Sequence, residues 1–339
     1  MGEAPAVLDR RRLAAAGGLV AVLLVYWETA LRFPDLSDWG DVFWTGIVLG
    51  APLFGLVWVA LPLARRAWPW LVAAMLACAG LAIVASLLDL AGVANVAKLG
   101  AATFAGFLFL HFFQEPSWLV LVALVIPFAD TLSVWRGPTK VIITEQPGLF
   151  DAYSVAFPPP GERVFMLRWG EVPGATRYVV RTRRPGHAHT FELKKERAID
   201  LGADAHERYR VAVDAYAGKR VVASAGAAVG EACGSRTLCD AAVKRRGLEL
   251  RLTGRLAANR LGLTDVIFFA LFLGGAARFG LRTGWTWVGL LVGFTLSGVA
   301  ALLDPFGTGG VPALPFIALG FLLPNADLLW RLRGRQPDG

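Results

Sequence analysis

Long apolar runs with short polar flanks make up most of the chain, and one central stretch breaks the pattern. The runs cover 13–32, 41–64, 69–88, 90–113, 117–135, 263–279, 284–303 and 311–330. Each is near the roughly 20 residues that a helix needs to cross a hydrocarbon core of about 30 Å. Helix is expected in all of them, because lipid offers no partner to unpaired backbone groups. Between the fifth and sixth runs the period shortens to two. Val164–Trp169, Arg177–Arg181 and Arg208–Ala215 read as short strands, with turns at Pro173-Gly174 and Pro185-Gly186. The expected fold is a multi-pass α-helical membrane protein of about eight transmembrane helices with an inserted all-β sandwich. Its parts are an N-terminal transmembrane half (1–136), a connecting segment (137–154), the sandwich (155–230), a linker with a cysteine pair and a strand (231–260), and a C-terminal transmembrane half (261–339).

Composition agrees with a membrane protein: 55% of residues are hydrophobic, only 18% are charged, and mean hydropathy is +0.53. The formal net charge of +8 suggests nucleic acid until it is localised. Residues 136–262 carry 22 Lys/Arg against 13 Asp/Glu, and the rest is nearly neutral, so no nucleic-acid partner is expected. Short flanks set the orientation. With the N-terminus inside, Arg10, Arg11, Arg12, Arg65, Arg66, Arg278, Arg282, Arg331, Arg333 and Arg335 are cytoplasmic, and Arg32 alone is opposite. This predicts a cell-membrane protein with both termini cytoplasmic and the insert outside. The first run continues to Tyr26 and Trp27 without a small-residue cleavage site, so it is expected to stay. In an oxidising compartment Cys233 and Cys239 are close enough in sequence to pair, and two free thiols are the equal alternative. Cys78, in an apolar run, is a small packing residue.

Within the insert, Trp169 in an early strand, Tyr178 in the next, and Leu201 followed by Tyr209-x-Val211-x-Val213-x-Ala215 resemble a fibronectin type III domain. The resemblance implies a spacer or recognition module with an extracytoplasmic protein partner, and makes Tyr209 the candidate for a bond back to the backbone. The basic balance favours anionic lipid or an acidic partner, or is simply a soluble surface. His187 and His189 lack a third ligand, so no metal is assigned. Gly247–Leu256 alternates, with Leu248, Leu250 and Leu252 on one face, and reads as a strand leading into the sixth span.

Ionisable residues within spans are the chemical candidates, since each is costly in lipid. Glu28, Asp89 and Asp327 lie near span ends and can reach water; Lys98 can snorkel. Asp130 lies deep in the fifth run and Asp265 opens the sixth. Pro312-Ala313-Leu314-Pro315 opens the last, where two prolines predict an irregular segment. Ala129-Asp130, Gly262-Leu263-Thr264-Asp265 and Pro312-Ala313-Leu314 resemble the motifs of the presenilin and signal peptide peptidase family of intramembrane aspartyl proteases. Those motifs are Tyr-Asp, Gly-x-Gly-Asp and Pro-Ala-Leu. Arg136-Gly137-Pro138 and the aromatic pair Phe268-Phe269 fit the surrounding pattern. Ala129 and Thr264 are the departures. The predicted orientation matches the signal peptide peptidase branch.

The resemblance implies an aspartic endopeptidase that hydrolyses transmembrane helices. Asp130 and Asp265 would be catalytic, with Gly262, Thr264, Pro312, Ala313, Leu314 and Pro315 supporting the site. The partners are substrate helices and the bilayer. Chemically, one carboxylate takes a proton from water while one carboxylic acid polarises the scissile carbonyl; neither a metal nor a cofactor is needed. Zinc and serine mechanisms lack their residues: there is no His-Glu-x-x-His, and His111 is the only histidine in an apolar run. A catalytically silent relative that binds single-span proteins is the alternative suggested by Ala129 and Thr264. A proton or cation transporter is a third, although no repeat between the halves is detectable.

Overall fold

The computed structural model describes residues 9–30, 33, 36–88, 90–136, 153–157, 163–184, 187–193, 197–200, 210–228, 239–256, 259–303 and 311–333. The chain divides into a helical unit (Met1–Thr29, Leu36–Phe157 and Asn259–Gly339) and a β unit (Ala30–Asp35 and Pro158–Ala258).

Helix α1 spans Arg10–Thr29. Helix α2 (Asp38–Phe43) passes through a π-helical turn, Trp44–Leu49, into α3 (Gly50–Ala60) and a 3-10 turn, Leu61–Arg65. Then follow α4 (Trp68–Leu87), α5 (Ala91–Leu110) and α6 (Pro116–Arg136). After the insert come α7 (Leu263–Arg278), α8 (Thr283–Leu303) and α9 (Leu314–Arg333). Among the described residues six helical stretches are long and apolar enough to cross a membrane: Arg10–Thr29, Trp39–Arg65, Trp68–Leu87, Ala91–Leu110, Pro116–Ser133 and Thr283–Leu303. The sixth and eighth apolar runs are also helical, as α7 and α9. Helix α7 has only 16 residues, and Val266 and Phe268–Ala276 are all buried. A helix apolar on every side needs protein around it. Phe269 stacks on Phe54 with ring centres 3.8 Å apart, and Phe272 stacks on Phe321 at 4.7 Å.

Glycines set how closely neighbouring helices pack. A Cβ at Gly106 of α5 would lie 2.4 Å from the Ile267 carbonyl of α7, and one at Gly293 of α8 only 2.3 Å from the Phe316 carbonyl of α9. Arginine bonds tie the helix ends. Arg278 donates to the Leu110 carbonyl at 2.9 Å, while Arg282 donates to the Pro324 carbonyl at 3.0 Å and pairs with Asp327 at 2.8 Å. These arginines therefore share one end of the bundle, and Asp130, Asp265 and the start of α9 share the other.

Two short strands belong to the helical unit. β1 (Ser154–Phe157) pairs antiparallel with β10 (Asn259–Gly262), Ser154 opposite Gly262 and Phe157 opposite Asn259. On its other edge β1 is held by α5: Asn95 Oδ1 accepts from the Ala156 amide at 3.0 Å, and Lys98 Nζ donates to the Ser154 carbonyl at 3.2 Å. The sequence reading of Lys98 as a snorkelling residue is corrected by this bond.

The β unit contains β2 (Arg163–Trp169), β3 (Arg177–Arg184), β4 (His187–Leu193), β5 (Ala198–Asp200), β6 (Arg210–Ala217), β7 (Arg220–Ala228), β8 (Cys239–Arg245) and β9 (Leu248–Leu256). They form two four-stranded sheets, ordered β5-β2-β9-β8 and β4-β3-β6-β7. Their inner faces close on Leu167, Trp169, Tyr178, Val180, Val211 and Val213, with Leu248, Leu250 and Leu252. The expected boundaries are corrected at both ends. Within the stretch expected as a linker, Cys239–Arg245 and Leu248–Leu256 belong to the sandwich, since β8 and β9 complete one sheet and three leucines of β9 fill the core. At the front, 154–157 pair with β10 and leave the sandwich. The apolar alternation of β9 is core packing, not an edge awaiting another chain. Leu201, Tyr209 and Cys233 lie outside the described residues, as does the Cys239 side chain. Among the described residues a tyrosine that bonds to the backbone is Tyr178, whose hydroxyl accepts from the Val172 amide at 3.1 Å beside Trp169.

Candidate active site

Three helix segments meet where the sequence places its two aspartates and its Pro-Ala-Leu run. Pro127 sits inside α6 one turn before Asp130, and the Thr131 hydroxyl donates to the Pro127 carbonyl at 2.8 Å. Asp130 is half-buried, and its Oδ2 accepts from the Leu314 amide of α9 at 3.3 Å. That amide needs a partner. Ala313 precedes the helix, its carbonyl accepting from Phe316 and Ile317 at 3.1 Å, so Leu314 holds one of the first-turn amides that no helix can satisfy internally. Pro315, next in line, has no amide to satisfy. The irregular stretch expected over Pro312–Pro315 is shorter than the prolines suggested. It is limited to 311–313, and Leu314 and Pro315 open α9.

Asp265 occupies the first turn of α7, two residues after the Leu263 amide bonds to the Tyr153 carbonyl at 3.0 Å. Its carboxylate lies back over the Gly262 position at the helix cap. The contact is close: a Cβ on Gly262 would sit 3.0 Å from Asp265 Oδ2. The carboxylates of Asp130 and Asp265 lie within electrostatic reach of each other. Asp130 is thus held by a backbone amide from the start of α9.

The remaining predicted site residues divide. Gly262 and Leu314 contact the carboxylates directly. Pro312 is buried and Ala313 and Pro315 half-buried around the start of α9. Thr264 is exposed, as is Ala129. Among the described residues no three His, Cys, Asp or Glu side chains gather as a metal would require. His189 is exposed beside Phe191. Much of the insert's basic balance collects at one place, where Arg181, Arg183, Arg210 and Arg245 line an open groove of about 610 Å³.

Asn95 and Lys98 were missed as site-building residues. They lie three apart on one face of an apolar helix, a pattern that marks buried polar partners. What they bind, the edge of β1, has no sequence signature of its own.

No family model, curated protein or solved structure gives a significant match to this chain.

Proposed function

We propose that the protein is an intramembrane aspartyl endopeptidase that cleaves transmembrane helices with Asp130 and Asp265. The observations that carry this reading are the bond from Asp130 to the start of α9 and the place of Asp265 in the first turn of α7, at one end of three helices that pack together. Helix starts favour each aspartate singly, but two carboxylates within electrostatic reach of each other are unfavourable unless they share a proton. A proton-sharing pair is what peptide hydrolysis requires: one carboxylate activates water and one acid polarises the carbonyl. Capping does favour one specific alternative, a catalytically silent relative in which both aspartates serve only as helix caps, and the exposed Ala129 and Thr264 suit it.

The ribbon of β1 and β10 supports engagement of an unwound substrate. Because the Ala156 amide and Ser154 carbonyl face α5, the pairs that exchange hydrogen bonds with β10 are Val155–Leu261 and Phe157–Asn259. This register turns the Arg260 amide and carbonyl to the side away from β1, five residues before Asp265. A strand added there would gain main-chain bonds independent of its side chains.

In the bilayer we place all eight apolar helical stretches across the membrane, with the arginine end cytoplasmic and the sandwich outside, in a cell membrane. The sandwich acts as a fibronectin type III-like recognition module for an extracytoplasmic protein partner. An impermeant thiol reagent should label a cysteine placed at Gly218 in intact cells; labelling only after lysis overturns the orientation.

The enzymatic test is release of a soluble fragment from a tagged single-span substrate in liposomes. Asp130→Asn and Asp265→Asn should each abolish release, with the double variant no worse than either. Retained release by Asp265→Asn overturns the mechanism, and no release by the wild-type protein across a panel of substrates favours the silent relative.

A further inference from the structure

We infer that the arginine end of the helical unit holds a binding site for one anionic glycerophospholipid, with its phosphodiester between Arg12 and Arg65. A cavity of about 360 Å³ opens there, lined by Arg12 of α1, by Trp58, Leu61, Pro62 and Arg65 at the end of α3, and by Thr283 of α8. Its size matches a single headgroup. Two arginines line the cavity, and among the described residues neither is ion-paired with a carboxylate. Two cationic side chains lining one space favour an anion there, and guanidinium groups bind phosphate oxygens with paired donors.

Depth makes lipid the source of that phosphate. Trp68, Trp70, Trp118, Trp285 and Trp330 are exposed at this end of the helices, as residues at headgroup level are. Trp58 forms the apolar wall and is fixed by edge contact with Trp287 at 6.4 Å, whose indole nitrogen donates to the Phe54 carbonyl at 3.1 Å. Leu13, one residue on from Arg12, is exposed on the helix that continues from the cavity into the apolar region. Basic pockets between helices at such a surface are suited to anionic headgroups.

The chemistry also sets selectivity. A zwitterionic lipid would carry its own cation into a space that already holds two arginines. Phosphatidylglycerol brings only hydroxyls, and Thr283 lines the same cavity. Helix α1 gains most from the bound lipid, because only Leu23 and Tyr26 of its side chains are buried by protein. The lipid links it to α3 and α8.

Native mass spectrometry of the full-length protein in detergent tests this, with phosphatidylglycerol and phosphatidylcholine of identical acyl chains. The expected result is roughly tenfold preferential retention of phosphatidylglycerol. Arg12→Gln with Arg65→Gln should remove the preference, and Arg66→Gln, whose guanidinium lies over Trp70 at 5.6 Å, should keep it. Leu61→Trp, which fills the cavity without changing charge, should also lose retention and decides the matter if the double variant does not fold. Equal retention of the two lipids, or full preference in Leu61→Trp, overturns the site. Displacement by millimolar inorganic phosphate would assign it to a soluble anion and overturn the lipid.

Discussion

The Leu314 amide donates to Asp130 across two helices, so the carboxylate of α6 caps the start of α9. Asp130 therefore holds α9 in place, beside the role in proton sharing that the proposed mechanism gives it. The two roles respond differently to substitution.

Asp130→Asn keeps an acceptor for the Leu314 amide, whereas Asp130→Ala removes it. Loss of a helix cap costs about 1 kcal/mol. Asp130→Ala should melt earlier than the wild type in detergent, while Asp130→Asn should melt near it; both should fail to cleave. Equal melting of all three would remove the capping role, and cleavage by Asp130→Asn would remove the catalytic one.

Gly262→Ala tests the other carboxylate. The added Cβ would press on Asp265 Oδ2 at 3.0 Å, and the side chain can rotate to relieve it. Folding should survive. Activity should fall by about 10²-fold, the scale set by a displacement near 1 Å. The readout is fragment release beside a thermal melt, and wild-type turnover would show that Asp265 does not depend on this contact.

Asn95→Leu should destabilise more than its small volume change suggests. It strands the Ala156 amide, a part-buried donor, at a cost of about 1–3 kcal/mol. Lys98→Met should add to this, because the two residues hold the same strand. Hydrogen exchange at Ala156 is the direct measure, and unchanged protection there would contradict the bond.

Proline scanning separates the two edges of β10. Leu261→Pro removes a bond to β1 and should loosen the ribbon, seen as faster exchange at Val155. Arg260→Pro removes only the outward amide. It should leave the ribbon intact and reduce cleavage, by about tenfold if one main-chain bond to the substrate is lost. Full activity in Arg260→Pro would mean that substrates do not pair with this edge.

Leu250→Ala tests the corrected boundary of the sandwich. Leu250 is fully buried between the sheets, so truncation should cost about 2–5 kcal/mol of sandwich stability. An effect below 1 kcal/mol would return the segment to the linker first expected.

Much of the architecture was legible in the chain because it follows from local pattern. Apolar runs near membrane thickness give helices wherever they occur, and Trp169, Tyr178 and Val180 alternate as a buried strand face must. The aspartates stood out because charge is costly in an apolar run. The assignment of β9 was not legible. Leu248, Leu250 and Leu252 repeat every second residue, but such a repeat says only that one face is buried and not which partner buries it. The place of β1 was hidden for the same reason: four residues carry no pattern, and their partners are distant in sequence.

The sequence by itself determined the helices, the polar insert, the arginine asymmetry and the identity of the two carboxylates, all properties of residues and their near neighbours. Only the tertiary structure decided that Leu314 meets Asp130 and that Asn95 and Lys98 close the edge of β1. Those contacts join segments as much as 184 residues apart. They depend on how closely helices can approach at Gly106 and Gly293, a balance of backbone clearances and orphan amides that no local run of residues expresses.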